Sequence, residues 1–156
     1  MKKIVVCLLA AVMLLASAAG CAGQPKGEPV EVTQAVSELQ KKVAFDDPMT
    51  AVEEDTALAL YGLEKGDVEE IAAVLSTGAT AEEIAVIKAA EGKTAKCKEA
   101  LEQRIEKQKD GFEDYVPAEV PKLERACLME KDNVVILCVA KDADTAKKVV
   151  QEILGA

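Results

Sequence analysis

Few residues in this chain have the types and spacing to do chemistry, and the clearest are two cysteines. Cys127 and Cys138 flank a polar Lys131-Asp132-Asn133 in "CLMEKDNVVILCVA". A two-residue Asp132-Asn133 turn sets Cys127 opposite Cys138 across a hairpin, where a cross-strand disulfide is geometrically conceivable. That register also makes them a hydrogen-bonded pair, with Cα atoms further apart than in the next rung, and one residue more or less in the loop would part them. The other reading, two small buried hydrophobes, is how free cysteines usually behave, and it is favoured. Cys97 shares an apolar helical face with Leu101 and is assigned to the core.

Paired carboxylates can bind calcium or do acid–base work. Here they stand at Asp46-Asp47, Glu53-Glu54-Asp55, Glu69-Glu70, Glu82-Glu83, and Asp142 with Asp144. None has the Asp-x-Asp-x-Asp-Gly spacing of a calcium loop. Most fall where the first turn of a helix sets acids against the positive dipole end, so capping and solubility are their expected roles. The chain has no histidine, which removes Ser-His and Cys-His catalysis and His-ligated zinc. No catalytic residue, metal ligand or cofactor is assigned. Phe45, Tyr61, Phe112 and Tyr115 lie at the ends of predicted helices and are expected to act as core staples. A net charge of −9 repels nucleic-acid phosphates, so no nucleic-acid partner is expected, and a 50% hydrophobic content excludes a disordered chain of the charged type.

The N-terminus concerns address. Met1-Lys2-Lys3 opens a run that is apolar from Ile4 to Ala16 and then turns to small residues, the three parts of a secretory signal. The apolar run is shorter than the about 20 residues a membrane-crossing helix needs. Ala18-Ala19-Gly20-Cys21 resembles the lipobox of bacterial lipoproteins, with Ala18 where leucine is commonest. The resemblance implies cleavage before Cys21 and a diacylglycerol in thioether linkage to its sulfur. It predicts residues 1–20 as a removed signal, attachment to the membrane through lipid on Cys21, and an extracytoplasmic location. Ordinary secretion after Ser17-Ala18-Ala19, with Cys21 left free, is the competing reading. Residues 22–31, "AGQPKGEPVE", have the composition of an extended linker, so residues 21–31 form the lipidated cysteine and its tether.

A single domain over 32–156 must position everything else. Val36, Leu39 and Val43 form an apolar stripe on a first helix capped by Thr33 and ended by "FDDP". A second helix is expected over Ala51 to Tyr61, closed by Gly62. "DVEE" and "TAEE" both look like capping boxes that open helices, whereas "IAVIKA" followed by "EGK" suits a strand and turn. Cys97, Leu101, Ile105 and Phe112 mark one face of a long helix that "YVPAEVP" interrupts. Val134 to Val139 is apolar at every position, as a strand covered on both faces is. Ala146, Val149, Val150, Ile153 and Leu154 give a last helix capped by Asp142 or Asp144.

"ALYGLEKGDVEE", "AEEIAVIKAAEGK", "FEDYVPAEVPKLERA" and "DNVVILCVAKDADTA", in this order behind a lipobox, resemble small bacterial lipoproteins of the family called domain of unknown function 4358, over about residues 32 to 155. The resemblance implies an anchored envelope protein, transfers no functional residue beyond Cys21, and turns Ile71–Leu75 and Ile84–Ala89 into strands. The expected fold is α+β: an antiparallel sheet of about four strands, from two hairpins, packed against helices. The expected function is a non-enzymatic, lipid-anchored domain binding an envelope protein or small ligand. The alternative is a small carboxylate-dependent hydrolase or lyase, marked by converging acids in a pocket. A transporter's solute-binding component would need two lobes, for which the chain is too short.

Overall fold

The computed structural model describes residues 29–156. Cys21, the small-residue stretch before it and the linker as far as residue 28 lie outside the described residues. Helix α1 (Val32–Lys42) comes first, then strand β1 (Thr50–Val52), helix α2 (Glu54–Tyr61), strand β2 (Val68–Leu75), strand β3 (Glu83–Ala89) and helix α3 (Thr94–Tyr115). Helix α4 (Val120–Glu124), strand β4 (Cys127–Lys131), strand β5 (Val134–Val139) and helix α5 (Ala143–Leu154) complete the chain. The five strands form one antiparallel sheet in the order β1-β2-β3-β5-β4. Its class is α+β, as expected, with a fifth strand added to the two hairpins.

Side chains of the inner strands β3 and β5 alternate between the two faces of the sheet because the side-chain period is two. Ile84, Val86, Ile136 and Cys138 face α1 and α5, where they pack on Val36, Leu39, Val149 and Val150. Ala85, Ile87, Val135 and Leu137 face the other way, against Leu58, Leu101, Ile105 and Phe112. Every residue of β5 is buried, which explains its unbroken apolar run. The long helix and the last helix therefore lie on opposite faces of the sheet.

Several elements differ from expectation. The second helix begins at Glu54, not Ala51, because Thr50–Val52 pairs with Ala73–Leu75 as an edge strand. Glu54 and Asp55 then occupy the helix's first turn, where acids favour its dipole. Helix α1 starts at Val32 behind Glu31, so Thr33 lies inside the first turn rather than capping it. Strands β2 and β3 include Ile71–Leu75 and Ile84–Ala89, as the family resemblance implied against the local capping signal, and start earlier, at Val68 and Glu83. Asp67 instead closes a 3-10 turn over Lys65–Asp67 by accepting the Glu64 N–H. The two prolines after α3 do not simply break it, since each sits in the first turn of a short helical segment. Asp142, one of the two expected caps, caps α5 by accepting the Thr145 N–H at 3.0 Å, and Asp144 lies in the first turn. Tyr115 departs from the core role given to the aromatics and is 76% exposed. Among the described residues no helix is long and apolar enough to cross a membrane.

Candidate functional site

Charge is gathered at the two ends of the sheet. At one end Asp67 is buried between Lys93 and Lys96, with Lys96 Nζ at 2.6 Å and Lys93 Nζ at 3.4 Å. The Lys96 hydrogen bond, then the Glu64 N–H and Lys93, pull the Asp67 carboxyl down to about 2 against the cost of burial. An acid depressed in the folded state adds stability above its unfolded pKa of about 3.9, and that stability is lost as pH falls toward the folded value. Asp67→Asn is therefore expected to lower the urea midpoint at pH 7 and to lose that deficit between about pH 5 and pH 2. Parallel pH profiles for the two proteins would refute the assignment.

The other end holds the acids that open β3. Adjacent residues of a strand point to opposite faces, so Glu82 and Glu83 serve different layers. Glu83, with a side chain 2% exposed, accepts from Arg104 Nη2 at 2.8 Å and Nε at 3.0 Å, and from the Tyr61 hydroxyl at 2.9 Å. Burial, followed by the Glu83 charge, raises the Tyr61 pKa well above its ordinary value, so the hydroxyl stays a donor. Glu82 accepts from the backbone N–H groups of Asp46 at 2.8 Å and Asp47 at 3.1 Å, and Lys122 Nζ lies 3.4 Å away. Glu119 Oε2 accepts the Ala81 N–H at 2.9 Å and sits 3.0 Å from the same lysine. Asp46 lies between Lys122 at 3.1 Å and Lys141 at 3.2 Å, which hold its pKa low. Burial works against the Lys122 charge, but Glu119 and Asp46 outweigh it and its pKa is raised.

Three carboxylates thus converge on one ammonium, which supplies the positive charge a metal would otherwise bring. Among the described residues no group of three acids or cysteines is arranged to hold a metal ion. Glu82 and Glu83 are not helix caps, which corrects the role expected for them. They are buried acids that pin the post-α1 loop, α3 and α4 to one end of the sheet. The signal was available: two acids at the start of a strand buried on both faces need partners. Lys122 and Arg104 sit in ordinary polar surroundings in the sequence, and nothing local singles them out.

The longer of the sheet's two edges is β4, with five residues against three in β1. Because β4 ends the sheet, only β5 pairs with it. The register sets Lys131 opposite Val134 across the two-residue turn and Cys127 opposite Cys138, as the spacing predicts. Asp132 takes a φ of 54°, left-handed backbone that suits such a turn. In that ladder Met129 and Cys127 bond to β5, so the N–H and C=O groups of Leu128 and Glu130 point away from the sheet. Beside this edge a groove of about 310 Å³ runs between the start of β4 and the first turns of α5, lined by Cys127, Leu128, Met129, Asp144, Lys147 and Arg125. Arg125 meets Asp144 at 3.4 Å, with both side chains more than half exposed, so the pair can part at little cost. Cys127 and Cys138 are free, buried thiols on the α5 side of the sheet, and Cys97 is buried on the other side.

Fold and site together define an α+β protein whose antiparallel sheet is covered by helices on both faces and ends in β4. Residues 41–140 match the family described as domain of unknown function (DUF4358), and the chain belongs to that family. No curated protein matches the chain, and no solved structure does.

Proposed function

We propose that the chain is a lipoprotein of the cell envelope, held to the extracytoplasmic face of a membrane through lipid on Cys21, whose domain works by binding an extended polypeptide along β4 rather than by catalysis. The observation that carries the binding reading is the unpaired edge at Leu128 and Glu130 beside the α5 groove. An extended segment added there would gain main-chain hydrogen bonds from the edge and side-chain contacts from the groove. Arg125 and Lys147 outnumber Asp144 in a groove on a chain of net charge −9, so the segment it suits carries an acidic side chain.

The anchor geometry supports this reading. Pro29 and Val30 lie beside Lys131–Val134, whereas the groove is at the start of β4. Five strand residues separate the two ends by about 17 Å. A domain tethered through its N-terminus would hold the groove away from the bilayer. The carboxylate enzyme has less behind it: the groove has one acid, and the converging acids at Lys122 are taken up by backbone N–H groups and cations.

The test is a photoreactive side chain placed at Leu128 of the full chain in living cells. It should form an adduct mapping to an extended segment bearing Asp or Glu. The adduct should vanish when Arg125→Glu and Lys147→Glu are combined, and should be missing when the probe sits at exposed Glu102 on α3. Equal adducts from both positions, or adducts indifferent to the charge reversal, would remove β4 as the binding edge.

A further inference from the structure

We propose that Cys127 and Cys138 close a reversible disulfide within the chain by exchange with an external disulfide. Three observations meet at this pair. The sheet register places the two residues directly opposite each other on neighbouring antiparallel strands. Opposite residues share a face, and both side chains belong to the core layer under α5. The rung is a hydrogen-bonded one, whose Cα separation of about 5.5 Å falls within the roughly 4.4–6.8 Å that a disulfide spans. Closure therefore needs no slip of the strands, only side-chain rotation and a small inward shift of the β4 edge, since opposite Cβ atoms lie about 4.5–5.5 Å apart and a disulfide holds them at about 3.5–4.5 Å. Cys97 cannot compete, because it is buried on the opposite face of the sheet.

The groove makes the pair reachable, since Cys127 lines it while Cys138 is 1% exposed. This sets the order of events. The Cys127 sulfur, as thiolate, attacks one sulfur of the oxidant; a mixed disulfide forms and one thiolate leaves. The Cys138 sulfur then attacks Cys127, the internal bond forms, and the second thiolate leaves. The protein gives up two electrons and two protons, and the oxidant becomes two thiols. Burial raises the Cys127 thiol while Lys147 draws it back, and burial pushes Cys138 up to about 12, so the first attack belongs to Cys127. The bond would tie the start of an edge strand held on one side only to its interior neighbour, in the floor of the groove. It requires no assumption about what the groove binds.

The chain provides its own readout, because trypsin cuts between the two cysteines at Lys131 and releases residues 126–131 and 132–141. The full chain is incubated with glutathione disulfide, alkylated after unfolding, and digested. The expected product is these two peptides joined by a disulfide and separated by reduction. Cys138→Ser should stop at a glutathione adduct on Cys127, and Cys127→Ser should leave Cys138 free. The proposal is overturned if wild-type chain keeps both peptides as free thiols or as the Cys127–glutathione adduct once the Cys138→Ser variant has reacted. A link from either cysteine to Cys97 would overturn it equally.

Discussion

Replacing Glu83 by alanine is expected to destabilise the domain by about 3–5 kcal/mol, the loss typical of breaking a buried ion pair from one side. The carboxylate satisfies the Arg104 guanidinium and the Tyr61 hydroxyl together, and the Arg104 side chain is only 13% exposed. Without it, a charge and a donor remain buried with no acceptor. Glu83 is also the first residue of β3, paired with Leu75 on one side and Val139 on the other, so the damage falls at one end of the sheet's central strand. Domains of this size are stable by roughly 5–15 kcal/mol, so the variant would be near the edge of folding. Glu83→Leu combined with Arg104→Met and Tyr61→Phe should recover most of the loss, because well-packed apolar groups replace a buried ion pair at little cost and no buried donor is left unpaired. Urea unfolding of the three proteins is the check. A loss below about 1 kcal/mol for Glu83→Ala would show that the pair is solvated in solution.

Cys21→Ala is the second large change, and it acts on location rather than on folding. Under the lipoprotein proposal, the sulfur carries two acyl chains, each contributing about 0.8 kcal/mol per buried CH₂; one chain binds marginally and two bind stably. The alanine variant has no sulfur to acylate. The apolar run from Ile4 to Ala16 that it would retain falls short of the about 20 residues a stable span requires. Wild-type protein should stay with membranes through an alkaline wash, and the variant should be released. A variant that resists the wash as well as wild type does would mean attachment by some other route.

Those parts of the fold that depend on neighbours in sequence were legible in it. The 127–138 hairpin follows from a two-residue turn between two apolar runs, and its register, Cys127 opposite Cys138 included, needs only counting. Helix α5 follows from its periodicity and the Asp142 cap. Strands β2 and β3 were harder, because "DVEE" and "TAEE" look locally like capping boxes while the partners of Asp67, Glu82 and Glu83 lie far away in the chain. Glu82 answers to Asp46 and Asp47, 36 and 35 residues earlier, and Glu83 to Arg104, 21 residues later. Strand β1 has three residues, too few for any period to show, and exists because β2 offers an edge. The groove was not legible at all, since it depends on which strand ends the sheet, a property of the assembled topology.

Tethering through Cys21 has one direct measurement: the mass of the N-terminal peptide of protein extracted from membranes. Lipid tethering predicts a chain that begins at Cys21 and carries a diacylglyceryl group on its sulfur. A chain that still bears Lys2 and Lys3, or one whose Cys21 is a bare thiol, would contradict it.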